Sequence, residues 1–259
     1  MNKILIDNNK ITSTDKTILI DNNKIKFTTS GDYEIEYINC SNLNYIYDIN
    51  NNNICLFEFA INQELDVNNT YNINSGNLVV SKFYNNKKVK ENIVINLLNE
   101  GASVDYRFSN ICIQEENYNI EINHKNKFTN SNIINRSVAL DKSKLDFIIN
   151  SNVPKDSIKS VIDQNTRIVT LGDSLCHISP NMFIDIDDVS AKHGSVIGTF
   201  DNNYLLYLMS KGLSYNDSLK LLVKGYLLSN LSINYDKINV ILDIINTYWG
   251  WNRWIEKIF

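Results

Sequence analysis

From Ile4 to about residue 200 the chain is a succession of short apolar runs, each broken by a polar turn, and no convincing amphipathic helix interrupts them. Ile4-Leu5-Ile6, Tyr33-Glu34-Ile35-Glu36-Tyr37, Ile54-Cys55-Leu56-Phe57, Ile93-Val94-Ile95, Tyr118-Asn119-Ile120-Glu121-Ile122, Phe147-Ile148-Ile149 and Met182-Phe183-Ile184-Asp185-Ile186 read as strands. Several alternate apolar and polar residues, as half-buried strands do. Many short strands over such a length point to a sandwich, a barrel or a β-helix, and pattern alone leaves the three open. Turns at this density need backbone in the left-handed region, yet the chain has nine glycines and two prolines. Asparagine, very abundant here, enters that region more readily than other non-glycine residues and is expected to take the turn positions. One block, Ile4-Leu5-Ile6-Asp7-Asn8-Asn9-Lys10-Ile11, recurs as Ile18-Leu19-Ile20-Asp21-Asn22-Asn23-Lys24-Ile25. Either a pair of hairpins or two stacked rungs accounts for it.

Near residue 200 the period changes from strand to helix. Asp201 suits an N-cap, Leu205, Leu208 and Met209 share a face, and Gly212 suits the position after the C-cap. Ser214 and Asp217 have capping-box spacing. Leu219, Leu222, Val223, Tyr226 and Leu227 then follow the spacing of an amphipathic helix, and Ile238, Ile241, Leu242 and Ile245 mark a third. Trp251, Trp254, Ile255 and Ile258 continue that spacing into the tail. The expected organisation is a β core over 1–200 and a small helical domain over 201–259.

The net charge of -4 provides no basic footprint for nucleic acid, and Lys87-Lys88-Val89-Lys90 reads as solvated loop charge. No stretch approaches the roughly 20 apolar residues of a membrane helix, and the first residues turn polar too soon for a signal peptide. Cys40, Cys55, Cys112 and Cys176 show no paired spacing, which points to a reducing, cytoplasmic compartment.

No phosphate loop, nucleophile elbow, zinc-protease or dinucleotide motif is present. Any triad or metal site must draw on His124, His177 and His193. Adjacent Cys176 and His177 would face opposite sides of a strand and could not share a metal. Asp185 and Asp187, placed on one strand face, would suit a carbohydrate-active or carbohydrate-binding β-helix, although a solvated turn is the commoner use of such a run. His193 sits where strands give way to helices, a place where a lone histidine is more often structural.

Residues 187–213, with His193-Gly194-Ser195-Val196-Ile197-Gly198 and Tyr207-Leu208-Met209-Ser210-Lys211-Gly212-Leu213, form a string that resembles the signature of the SufB/SufD family of iron–sulfur cluster assembly scaffolds. Asn96-Leu97-Leu98-Asn99-Glu100-Gly101-Ala102, His124, Thr129-Asn130-Ser131-Asn132 and Ser179-Pro180-Asn181-Met182 resemble further family segments in the same order, so the likeness spans about 90–230. It implies a mainly β protein, a right-handed parallel β-helix or solenoid core followed by a small C-terminal α-helical domain. It further implies a scaffold subunit that is not itself an enzyme, its helices docking the ATPase SufC through Leu205, Leu208, Leu222 and Tyr226. The end of the β-helix would pair with a SufB-type subunit, or with a second copy in a homodimer when the chain is isolated. His193 matches the family histidine at that interface, where with a partner cysteine it would bind iron, the iron–sulfur cluster forming transiently on the complex with reduced flavin as electron source. The position near Asn165 lacks the sulfur-accepting cysteine of SufB-type members, and Ser174 stands where those members often carry another, so the chain is similar to SufD. The family's usual N-terminal helical region has no counterpart, since strands begin at Ile4. The chain is accordingly expected to act without nucleic acid or membrane.

Overall fold

The structure, a computed structural model, describes residues 2–13, 16–233 and 235–249. The backbone winds about seven turns of a parallel β-solenoid and ends in three helices. Sheet A contains β1 (Asn2–Asp7), β2 (Lys10–Ser13), β5 (Gly31–Ile38), β8 (Asn52–Ile61), β10 (Gly76–Asn85), β12 (Ser103–Cys112), β14 (Asn130–Leu140), β16 (Val161–Leu171) and β18 (Ser190–Gly198). Sheet B contains β3 (Ile18–Asp21), β4 (Lys24–Phe27), β7 (Ile46–Ile49), β9 (Glu64–Ile73), β11 (Lys88–Leu97), β13 (Glu115–His124), β15 (Lys144–Val153) and β17 (Leu175–Ile184), with β6 (Asn42–Leu43) beside β9. From β8 onward each rung adds one strand to each sheet, and the register runs unbroken through Ile54, Leu78, Val104, Ser131, Ile162 and Ala191. The rung lengthens along the axis, from 24 residues between Asn68 and Asn92 to 31 between Asn135 and Thr166.

The side chains explain why two sheets form and how they differ. Between them, inward-facing residues stack rung on rung: Tyr47 on Tyr71 at 4.8 Å and Tyr118 on Phe147 at 4.9 Å between ring centroids. The outer face of sheet A carries a second apolar set, Phe57, Phe59, Phe83, Ile111, Val138 and Val169, which packs against the helices. Where the helices cover it, sheet A is thus buried on both faces, and strands such as Ile54-Cys55-Leu56-Phe57 read as continuous apolar runs. The outer face of sheet B faces water, and there the asparagines line up. Asn152 donates to Asn123 at 2.9 Å, Asn123 to Asn96 at 3.1 Å, Asn96 to Asn72 at 2.9 Å and Asn72 to Asp48 at 3.0 Å. Strands are stacked about 4.8 Å apart, a spacing that lets each amide bond to the next. Asparagine also holds the turns: six of the nine described non-glycine residues with positive φ are Asn8, Asn9, Asn22, Asn39, Asn51 and Asn62.

The solenoid interior is not wholly apolar. Lys82 is fully buried, with Nζ 3.2 Å from Glu58 Oε2 and 2.5 Å from Glu91 Oε1. Burial opposes its charge, but Glu58 and Glu91 outweigh that cost and hold its pKa well above the ordinary lysine value. Tyr37 and Tyr71 donate to Glu58, completing a polar cluster that spans the two sheets.

Each copy of the repeated block forms an antiparallel hairpin, β1 with β2 and β3 with β4. Together they end the two sheets at the first rung with edge strands of four residues each. The far end differs, since β17 and β18 are terminal strands of ten and nine residues. The Lys87–Lys90 run, expected in a loop, lies largely on β11. Asp185 and Ile186, expected on a strand, fall in the turn after β17.

The helices are α1 (Asn202–Ser210), α2 (Tyr215–Leu228) and α3 (Tyr235–Trp249). Asp201 caps α1 by accepting from the Asn203 N–H, and Gly212 follows the C-cap with φ +92°. Ser214 caps α2 by accepting from the Asp217 N–H at 3.1 Å. Leu219, Val223, Leu227, Ile241 and Ile245 bury their side chains against sheet A, each burial worth about 2 kcal/mol. Asn230 Nδ2 donates to the Phe108 carbonyl at 2.9 Å, and Lys237 pairs with Glu34 and Glu36, each at 3.2 Å. The helices therefore lie along the side of sheet A and share a core with it. Trp251, Trp254, Ile255 and Ile258 lie outside the described residues.

Candidate functional site at the open end of the solenoid

The last rung, β17 and β18, has a rung beneath it and, among the described residues, none above. Its inward-facing positions stay open where those of earlier rungs are sealed. In sheet A the inward column through Tyr106, Ile133 and Gln164 ends on His193. The next inward column, through Asn135 and Thr166, ends on Ser195, and the third, through Ser137 and Ile168, ends on Ile197. His193 thus sits at the mouth of the solenoid, exposed, on the terminal strand. Beneath it Gln164 is buried and donates to Ser151 Oγ at 2.8 Å and to the Asn181 carbonyl at 3.3 Å. Its carbonyl oxygen has no hydrogen-bond partner among the described residues. Such an orphan acceptor next to the histidine position is a group that a protonated ring nitrogen or a water satisfies.

Exposed apolar side chains stand on the outer faces of this last rung. Leu175 is 71% exposed, Phe183 57% and Val196 54%, an apolar surface that a monomer would expose to water along two long unpaired edges. Pro180, on β17, is tolerable only because that strand is an edge, and its missing N–H interrupts the free edge of sheet B. The uninterrupted free edge is β18.

The other candidate residues separate. Cys176 faces inward in the column with Leu145, while His177 faces out and lies 3.4 Å from Asp146. The two share no ligand position. Burial pushes the Cys176 thiol up, which disfavours the thiolate a metal would need. Asp185, Asp187 and Asp188 are all exposed in the turn between β17 and β18, so the paired strand-face carboxylates of a carbohydrate-active site are not formed. His124 is buried, with Thr129 Oγ1 at 2.8 Å from Nδ1 and Ser131 Oγ at 2.9 Å from Nε2. Burial lowers its pKa to about 4, leaving a neutral, structural ring. Asn165 faces outward and accepts from Arg136, and Ser174 lies 3.6 Å from the Cys176 sulfur.

On the helices, Leu205 is buried in the apolar cluster that the helices share with sheet A, while Leu208, Leu222 and Tyr226 are half-buried. Leu205 therefore supports the outer surface of α1 rather than forming it. The exposed face belongs to Tyr204, Leu206 and Tyr207, each at least 60% exposed, with Met209 and Leu213. Sequence periodicity marked Leu205 and Leu208 because the buried stripe is the regular one, whereas Met209, expected on the same face, is 41% exposed. The outer residues announce themselves only as surplus apolar residues on the opposite face. Gln164 and Ser195 were missed for a related reason: polar residues on inward positions look like loop until the register is known.

No group of three or more histidine, cysteine or carboxylate side chains is placed to hold a metal among the described residues. His193 offers one ligand, and an iron bound there would need others from beyond the described residues.

The profile of the SUF system FeS cluster assembly SufBD core domain matches residues 29–226, which takes in nearly the whole solenoid, α1 and most of α2. The chain belongs to the SufBD family. Iron-sulfur cluster assembly protein SufD of Bacillus subtilis is 29% identical over 115 residues, 44% of this chain and 26% of that protein. SufD of Escherichia coli is 25% identical over 107 residues, 40% of this chain and 25% of that protein. A SufBD family protein of Mycobacterium leprae is 25% identical over 117 residues, 44% of this chain and 13% of that protein. The matched stretch thus spans about a quarter of the SufD relatives' length. Two of these curated relatives are SufD proteins, and the residues matched to the SufBD core form most of this chain's parallel β-solenoid with α1 and most of α2. No helix among the described residues is long and apolar enough to cross a membrane.

Proposed function

We propose that this chain is the SufD-type half of an iron–sulfur cluster assembly scaffold, acting in the cytoplasm as a non-enzymatic subunit. Residues 1–200 would form the scaffold half and 201–259 the docking half. A SufB-type chain would pair along β18 and supply the sulfur-accepting cysteine that this chain lacks near Asn165. SufC would dock on the outer face of α1 and α2, with Tyr204, Leu206 and Tyr207 exposed above Leu205, Leu208, Leu222 and Tyr226, and would carry the ATPase activity. The observation that carries the reading is the place of His193, at the mouth of a solenoid whose family assembles iron–sulfur clusters, on the one long uninterrupted edge. Iron and sulfide are cargo in this scheme. A neutral imidazole can ligate iron or carry a proton beside a partner thiolate. Reduced flavin, the electron source, is assigned to the assembled complex, and no residue of this chain is assigned to it.

The test is His193→Ala in the co-expressed complex. Iron and acid-labile sulfide should fall to background while the subunits still co-purify in unchanged ratio. His193 is exposed and has no described hydrogen bond to lose, so thermal stability should move by less than about 0.5 kcal/mol. Normal iron and sulfide content in the variant would defeat the reading.

A further inference from the structure

Beside α2, on the outer face of sheet A, Arg136 and Arg167 are direct neighbours on β14 and β16, paired Cα to Cα across the parallel ladder. Like charges directly opposite one another on adjacent strands are destabilising, and here both are half-buried. Neither lies within ion-pair distance of a carboxylate among the described residues, whereas Arg107 is clamped by Asp105 through Nε and Nη2, the latter at 2.6 Å. Among the described residues the surroundings offer no compensating carboxylate. The only acid on α2 is Asp217, in its first turn, followed by Lys220 and Lys224. Nearer the solenoid mouth Asp163 is taken by Lys192 at 2.8 Å.

Both guanidinium groups are nevertheless held in place. Arg136 donates through Nη1 to Asn165 Oδ1 at 2.8 Å and to the Asn135 carbonyl at 3.0 Å. Its Nε and Nη2 donate to none of the described residues. Arg167 lies over the Tyr226 ring, 5.7 Å from the centroid, and Tyr226 donates to the Arg167 carbonyl at 2.6 Å. Burial, and then Arg167, lower the Arg136 pKa, with Tyr226 acting the other way. Two oriented, uncompensated forks on one face are the usual furniture of an oxyanion site, because the free Nε/Nη2 edge matches two oxygens of a phosphate or carboxylate.

We infer that Arg136 and Arg167, backed by Tyr226, bind a small dissolved oxyanion of phosphate type in the corner between sheet A and α2. The site is separate from His193, which faces the solenoid interior. The next position in the arginine column is Val196 on the edge strand, so the anion would sit one rung from the proposed pairing edge.

The test uses the full chain with inorganic phosphate as probe, against sodium chloride at matched ionic strength. Phosphate stabilises most proteins by exclusion from their surface, so the informative quantity is the difference between wild type and variants. Wild type should show a saturable rise in melting temperature at low-millimolar phosphate and broadening of the phosphate phosphorus resonance. Arg167→Met and Arg136→Met should each lose both, and Arg167→Lys, which keeps the charge but not the fork, should retain a weakened response. A response in the Arg136→Met/Arg167→Met double variant equal to wild type would overturn the assignment. So would the absence of any saturable response in wild type, particularly with Arg167→Met more stable than wild type in chloride, which would mark the pair as uncompensated repulsion alone.

Discussion

Glu116 is fully buried inside the solenoid, where Oε2 accepts from Asn110 and Tyr118 while Oε1 has no partner among the described residues. Burial lifts its pKa from the ordinary 4.5 to about 8, so the carboxyl is largely protonated at neutral pH. Between these values the native state holds a proton that the unfolded chain has released, and stability falls as pH rises through that window. His124 works in the opposite sense. Its pKa is lowered from 6.5 to about 4, so its contribution is complete above pH 6.5 and is lost as pH falls toward 4. From these two groups the slopes cancel between pH 4.5 and 6.5, leaving a net decline from 6.5 to 8 of about 2 kcal/mol. Glu116→Gln mimics the protonated acid, keeping an acceptor for Asn110 and Tyr118. Urea unfolding across that range should show the decline in wild type and its absence in the variant, which should be the more stable protein at pH 8. An equal decline in both would mean that Glu116 ionises normally.

Among the elements, the asparagine ladder on sheet B does for the solvent-facing side what the stacked rings do for the interior. Asn96 is the middle rung, donating to Asn72 and accepting from Asn123. Asn96→Ala removes both bonds and leaves half-buried Asn72 and buried Asn123 each one partner short, an expected loss of about 1–2 kcal/mol in urea unfolding. Asn92 makes a single ladder bond, to Asn68, at a more exposed position, and Asn92→Ala should cost under about 0.5 kcal/mol. Equal small losses would show that water replaces the ladder at no cost. The ladder also explains which strands were hard to read. Glu64–Ile73 and Asn130–Leu140 carry polar residues on both faces, so apolar alternation is broken although each is ten or more residues of strand. The helices were easier, because Asp201, Gly212 and Ser214 are local signals that act through their own backbone.

For the molecule as a whole, the two ends of the solenoid differ in kind. The short hairpin edges at the first rung blunt further pairing, while β18 offers an unpaired row of backbone donors and acceptors flanked by exposed apolar side chains. The isolated chain should therefore form a two-fold dimer through β18 at micromolar concentration, a stand-in for the proposed pairing with a SufB-type chain. Ile197→Lys, at the open mouth, should leave a folded monomer. Light scattering coupled to gel filtration reads both, and a monomeric wild-type protein would count against the edge as a pairing surface.

The succession of short strands, the asparagine turns, the change of period near residue 200 and the helix caps were legible in the sequence, because each depends on residues a few positions apart. The family string around His193 was legible for the same reason. What only the tertiary structure decided is everything set by register across 24 to 31 residues. Register turned His193 toward the solenoid mouth over Gln164 and placed Arg136 beside Arg167. It also gathered Lys82, Glu58 and Glu91 into one buried cluster and moved Asp185 and Asp187 off any shared strand face. A shift of one residue in any rung would send those side chains to the opposite face, and the turn lengths that set each rung follow no period that the sequence displays.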